Sequence, residues 1–172
     1  FPEIPDFDEL RESLEDLIAD TIGSMRTPQL ADHLGAMAQQ FFPLKVSEIR
    51  KTTDDCSVIS MEVPEELKEQ FNFIQGQYLT FKTTINGEEV RRTYSLCSSP
   101  LDHTWSVAVK KIEEGRFSTY ANDVLKVGDI LEVMPPNGRF YCSIDEKGTK
   151  NYVAFAAGSG ITPMHSIIKT HL

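Results

Sequence analysis

No stretch of the 172-residue chain approaches the roughly 20 consecutive apolar residues that a membrane-spanning helix needs. Cysteine is scarce. Cys56, Cys97 and Cys142 are scattered, odd in number and without a Cys-x-x-Cys pair, which argues against a disulfide framework or a paired metal site. That usage points to a reducing, cytoplasmic setting. A basic block is missing as well: 17 Lys and Arg face 26 Asp and Glu, a net charge of −9, the wrong field for a phosphate backbone. What is present is ordinary for a globular protein, 40% hydrophobic and 25% charged residues, in a length that allows one domain and part of a second.

The negative charge is concentrated at one end. Residues 1–36 hold nine acids against Arg11 and Arg26, a net of −7, so the remainder carries only −2. Phe7, Leu10, Leu14, Leu17, Ile18, Ile22 and Met25 recur at three- and four-residue steps, the stripe of an amphipathic helix. Asp6 or Asp8 caps its start, and Thr27-Pro28 opens a second helix with Leu30, Leu34 and Met37 on its apolar side. Residues 1–40 are thus expected to form an acidic helical segment. It reads as an arm that docks on a basic redox partner, a linker, or a fused segment ending near Gly35-Ala36-Met37. A chain that starts at Phe1 and stops at Leu172 inside a helical pattern is expected to be an excerpt of a longer polypeptide.

From residue 41 the period shortens to two. Leu44, Val46 and Ile49, then 57–63, 78–85, 88–96, 105–111 and 130–134, read as strands rich in β-branched and aromatic residues. Asn86-Gly87 between two of them is a strong hairpin signal, because both positions tolerate positive φ. Pro64-Glu65-Glu66-Leu67 predicts a short helical turn and Gly128-Asp129 a turn. One helix is expected from about Ser118 to Val124. The fold class expected is mainly β: an antiparallel Greek-key barrel with one helix over residues 41–147. The first strand, turn and helix of an α/β nucleotide-binding domain follow over residues 148–172.

Three motifs bear on chemistry. In Arg91-Arg92-Thr93-Tyr94-Ser95, strand alternation puts Arg92 and Tyr94 on one side. A guanidinium binds a diphosphate bidentately, a tyrosine face covers a flat ring, and Ser95 offers a donor and an acceptor. The competing reading is a surface arginine beside a core tyrosine. In Gly115-Arg116-Phe117-Ser118-Thr119, glycine allows a tight turn, Ser118 or Thr119 caps a helix, and the free amides there form an anion site. An ordinary capped helix has the same pattern. The third motif is an apolar strand, Tyr152-Val153-Ala154-Phe155-Ala156-Ala157, running into Gly158-Ser159-Gly160-Ile161-Thr162-Pro163 and a helix from Met164. Pro163 holds the position where the Gly-x-Gly-x-x-Gly fingerprint has its last glycine. Pro135-Pro136-Asn137-Gly138 reads as a rigid turn closing the barrel, and none of His33, His103, His165 or His171 has an evident partner.

The order of the three motifs, each in its structural setting, resembles the ferredoxin–NADP reductase family over residues 41–172. The stretches around Val63-Pro64-Glu65-Glu66-Leu67, Pro135-Pro136-Asn137-Gly138-Arg139-Phe140 and Ala156-Ala157-Gly158-Ser159-Gly160-Ile161-Thr162-Pro163-Met164 look most like the reductase components of phenylacetyl-CoA oxygenase systems. The resemblance implies FAD rather than FMN in the barrel. Arg92 and Thr93 would lie at the flavin, Arg92 on its phosphates, with Tyr94 and Ser95 against the reacting ring. Lys110 would follow the ribityl–diphosphate path, and Gly115, Phe117, Ser118 and Thr119 would cradle the diphosphate. Gly158, Gly160, Thr162 and Pro163 would begin the nicotinamide dinucleotide site. The implied activity is electron transfer from NAD(P)H through FAD to an iron–sulfur acceptor, serving an oxygenase. The chain departs from the family pattern in Gln75, where proline is common. It also contains neither the rest of the nicotinamide domain nor the Cys-x4-Cys-x2-Cys cluster motif of such reductases. A flavin-binding or docking module without turnover of its own is the alternative reading.

Overall fold

The computed structural model describes residues 40–143 and 152–171. The helices expected over residues 1–39 lie outside the described residues. Among the described residues, six antiparallel strands follow in chain order: β1 (Phe42–Thr53), β2 (Cys56–Glu62), β3 (Tyr78–Ile85), β4 (Glu88–Ser95), β5 (Trp105–Lys110) and β6 (Ile130–Asn137). They pair in the spatial order β4-β3-β6-β1-β2-β5, so a late strand is inserted between two early hairpins in Greek-key fashion. The barrel expected from the alternation is therefore present.

The period-two pattern explains the core. Leu44 and Val46 of β1, Ile59 and Met61 of β2, Leu79 and Phe81 of β3, Val107 and Val109 of β5, and Leu131 and Val133 of β6 all point inward and are buried. The β3–β4 hairpin turns on Asn86 and Gly87, with φ of 53° and 80°, and pairs Ile85 with Glu88. Trp105 closes one end by donating its indole N–H to the Phe71 carbonyl at 2.6 Å. Pro135 and Pro136, expected in a turn, instead lie within β6. The β3–β6 register slips between Tyr78 and Thr80, so the prolines occupy an irregularity rather than a regular ladder.

The two ends of the sheet, β4 and β5, meet through one bridge between Leu96 and Val107, extended by the Cys97 N–H donating to the Ser106 carbonyl at 2.8 Å. Next to this narrow closure the space between them is filled by helix α1 (Arg116–Asp123). Phe117, Ala121 and Leu125 insert into the core. Asn122 fastens the helix: its amide donates to the carbonyls of Val109 at 3.0 Å and Ser118 at 2.9 Å, and its oxygen accepts from buried Ser57 at 2.8 Å. The helix starts two residues before the expected position, and its N-cap is Gly115 with no side-chain cap.

Helix α2 (Ile161–His171) follows a 3-10 turn at Gly158–Gly160. It begins three residues before the expected Met164. The strand expected over residues 152–157 is not part of a ladder. Val153 and Phe155 are 77% and 88% exposed, and Ala157 is extended. Backbone of this kind becomes a strand only beside a partner, and among the described residues no strand pairs with it.

Phe117 tests the role of α1 as the plug of the barrel. Replacing it with Ala is expected to cost about 3–5 kcal/mol in a denaturant titration, the usual range for an aromatic side chain lost from a core. A loss below about 1 kcal/mol would mean that the helix does not seal the barrel.

Candidate functional site

The residues of β4 divide as alternation requires. Val90, Arg92, Tyr94 and Leu96 form one row, of which Val90 and Leu96 are buried in the core. Arg92 and Tyr94 continue that row where β4 and β5 separate, so they sit at the open edge of the barrel rather than on its outer wall. The Tyr94 ring packs on Phe117 at 5.6 Å between centroids and on Phe81 at 6.2 Å. Arg116 of α1 pairs with Glu88 of β4 at 2.5 Å. These contacts bring the first two motifs together: Tyr94 lies on the first turn of α1, and Arg92 stands two residues before it on the same row of β4.

The chemistry of this edge is unsatisfied. The Arg92 guanidinium is exposed and donates to the backbone carbonyl of Arg91 at 2.7 Å, and among the described residues no carboxylate pairs with it. Its positive charge reaches the Tyr94 hydroxyl, where it opposes a larger upward shift of the phenol caused by burial. The N–H groups of the first turn of α1 lack a side-chain cap and carry the positive end of the helix dipole. A cation, a half-buried aromatic and an uncapped helix start form a set of donors suited to an anionic group joined to a flat ring.

Several expected residues have other occupations. Phe117 is 2% exposed, so its side chain belongs to the core and only its backbone can face a ligand. Ser118 does not cap α1; its buried hydroxyl accepts from the Ile112 N–H and donates to the Gly115 carbonyl, both at 3.3 Å, tying the turn to the helix. The left-handed residue of that turn is Glu114, with φ of 56°. Gly115, with φ of −73°, is required by crowding, since a Cβ there would lie 2.2 Å from the Ser118 Oγ and 2.4 Å from the Ile112 Cγ1. Thr119 is half-buried beside it. Thr93 and Ser95 lie on the opposite row of β4 from Tyr94, and the Thr93 hydroxyl hydrogen-bonds to that of Thr80 at 3.1 Å. Lys110 is not brought to the cluster: its ammonium pairs with Asp55 at 3.2 Å in the β1–β2 turn.

The third motif forms the start of α2. The Thr162 hydroxyl donates to the Ser159 carbonyl at 2.8 Å, Pro163 falls within the first helical turn, and nothing lies within 4 Å of where a Cβ on Gly158 or Gly160 would be. Gln75, which departs from the family's common proline, is buried and donates to the Cys142 carbonyl at 2.6 Å. Two histidines without evident partners in the sequence have them in the fold. His165 bonds to the Cys97 carbonyl at 2.7 Å, and His171 lies 3.1 Å from the Cys142 sulfur. Both partners are distant in the chain, which is why no local spacing signals them. A groove of about 390 Å³ separates the outer face of β1, β2 and β5 from α2, lined in part by Arg50, Thr162, His165 and Lys169. It does not include Arg92 or Tyr94, whose site is an open edge rather than a cavity.

The class of protein is that of Greek-key β-barrels with the sheet ends parted between β4 and β5 and a helix set in the gap. The family described as the oxidoreductase FAD-binding domain matches residues 43–141, and the chain belongs to it. One component of the 1,2-phenylacetyl-CoA epoxidase of Escherichia coli (strain K12) is 47% identical over 132 residues, 77% of this chain and 37% of the relative. The ferredoxin reductase component of 3-ketosteroid-9-alpha-monooxygenase from Rhodococcus rhodochrous is 39% identical, over 75% of this chain and 36% of the relative. Among solved structures, phthalate dioxygenase reductase, described as modular for electron transfer from pyridine nucleotides to [2Fe-2S], aligns with a TM-score of 0.56 and 29% identity. That alignment covers 76% of this chain and 39% of the other. The chain therefore spans a little over a third of the length of the curated relatives it matches first.

Tyr94 yields a pH test. Its phenol loses a proton less readily in the folded chain than in the unfolded chain, so its contribution to stability is complete below about pH 10. That contribution is lost as pH rises through the folded value. Tyr120 and Cys97 act in the same sense, the Cys97 thiol being pushed by burial to about 11. Tyr94→Phe is expected to make the fall in stability between about pH 9 and 11 shallower without abolishing it, as read from urea midpoints. An unchanged slope would mean that the phenol is not shielded by Phe81 and Phe117.

Proposed function

We propose that the chain is the flavin-binding part of an NAD(P)H-dependent electron-transfer reductase, with FAD held at the open edge between β4 and β5. Residues 41–147 are the FAD barrel and residues 148–172 open the nucleotide-binding domain. Residues 1–40 form a separate acidic segment. The observation that carries this reading is that Arg92 and Tyr94 share one row of β4 and that Tyr94 packs on the first turn of α1, whose start has no side-chain cap. Arg92 supplies a charge-assisted contact for a diphosphate, and the backbone amides at the start of α1 supply the rest of that cradle. Tyr94 covers one face of the isoalloxazine ring, with its own ring held at a fixed tilt by Phe117. Gly115, which has no Cβ, lets the turn pack against Ser118 and Ile112 at the start of α1, where the amides of Arg116, Phe117 and Ser118 are the donors of the cradle. Thr93 and Ser95 approach from the strand backbone and the opposite row.

When bound, FAD supplies the redox chemistry, taking up a hydride and releasing electrons singly. The protein's part is to bind, orient and shield. Gly158, Gly160, Thr162 and Pro163 begin the site for the nicotinamide donor, where the glycines leave room for close backbone approach. The acceptor is an iron–sulfur centre serving an oxygenase. The 47% identity to an epoxidase component and the 39% identity to a monooxygenase reductase component support this. Three free thiols fit a cytoplasmic setting.

Arg92→Ala is expected to raise the dissociation constant for FAD by about tenfold or more, the effect of losing a contact to a charged group. Flavin fluorescence quenching on titration measures it. An unchanged affinity would remove Arg92 from the site.

A further inference from the structure

The chain that leaves β4 is held by α2. His165 Nδ1 lies 2.7 Å from the Cys97 carbonyl oxygen; because a carbonyl only accepts, Nδ1 carries the proton of that bond. The buried Ser166 hydroxyl donates to the Ser98 carbonyl at 2.6 Å. The hydroxyls of Ser99 and Thr170 are 2.9 Å apart, and Lys169 pairs with Asp102 at 2.7 Å. Asp102 also accepts from the Ser99 N–H at 2.9 Å. Cys97 follows Tyr94 by three residues, and His165 follows Thr162 by three. One short helix thus starts at the glycine turn and, within one helical turn of it, grips the chain that leaves Tyr94 and Ser95.

We infer that His165 is a positioning residue for the flavin site: it fixes the Cys97 carbonyl, and with it the path of Tyr94, Ser95 and Leu96, relative to the Gly158–Gly160 turn. The inference rests on the flavin reading given above. Ser166 and Thr170 make hydrogen bonds to the same segment but are buried, so replacing either also removes core volume, whereas His165 is exposed. Its contribution is a directed hydrogen bond rather than volume, so replacing it leaves no cavity. The bond acts on the residue that, through its own N–H to Ser106, extends the single bridge between β4 and β5. A shift of the Cys97 peptide therefore moves the edge on which Tyr94 sits.

The test compares three forms of the full chain. His165→Leu occupies similar space without a donor, and His165→Asn keeps an N–H at nearly the Nδ1 position. With FAD, His165→Leu is expected to weaken binding about fivefold, the size of one lost hydrogen bond, and to change the visible circular dichroism of the bound flavin. His165→Asn is expected to restore the wild-type band shape and affinity. Packing alone does not give that rescue, since Leu fills the space better than Asn. If His165→Leu matches the wild type in both affinity and band shape, the inference is overturned. If the wild type does not retain FAD, the flavin reading fails, and amide hydrogen exchange in the flavin-free chain decides the role of His165. Faster exchange at the Leu96 and Cys97 amides in His165→Leu, restored in His165→Asn, supports the fixed strand exit; unchanged exchange overturns it.

Discussion

The site depends on the way the barrel closes. β4 and β5 are the ends of a six-stranded sheet, and among the described residues one bridge, Leu96 to Val107, with the adjoining Cys97–Ser106 hydrogen bond, joins them. A fuller ladder would bury the row that contains Arg92 and Tyr94. No bridge at all would let the barrel open. The single bridge keeps one end shut and leaves an edge beside it, and α1 stops that edge from exposing the core by inserting Phe117 and Ala121, followed by Leu125 just past its C-terminus. The helix that seals the barrel is thus the helix whose uncapped start faces the same edge.

Two polar fastenings hold this arrangement. Asn122 joins α1 to β2 and β5 through Ser57 and the Val109 carbonyl. These are groups that would be costly to leave unpaired at such depth. Ser98 and Ser99 join the chain beyond β4 to α2 through Ser166 and Thr170. Both fastenings use hydroxyls and amides rather than apolar packing, which sets direction as well as proximity. Surface ion pairs such as Lys110–Asp55 and Lys111–Asp123 are exposed and add little to this.

Much of the fold is legible in the sequence because strands write their period locally. The alternation through Leu79, Phe81, Val107 and Val109, the Asn86-Gly87 turn and the shared face of Arg92 and Tyr94 all follow from neighbours within a few residues. The rest depends on partners far apart in the chain. Nothing near Lys110 signals Asp55, and nothing near His165 signals the Cys97 carbonyl. Serine at a helix start usually caps it, which is the expectation for Ser118, but the Gly115 carbonyl and the Ile112 N–H draw its hydroxyl into the turn. Pro135 and Pro136 have the composition of a turn, and only the slipped register of β3 accommodates them in a strand. The apolar run 152–157 has a strand's composition, but among the described residues no strand pairs with it. The acidic segment of residues 1–36, with its apolar helical stripe, lies outside the described residues.

The central claim is that the edge between β4 and β5 is a flavin nucleotide site. The most direct measurement is a visible absorption spectrum of the purified chain before and after incubation with excess FAD and desalting. A flavin band that survives desalting is the predicted result. A folded chain that stays colourless with both FAD and FMN would contradict the account and leave a barrel of this family without its cofactor.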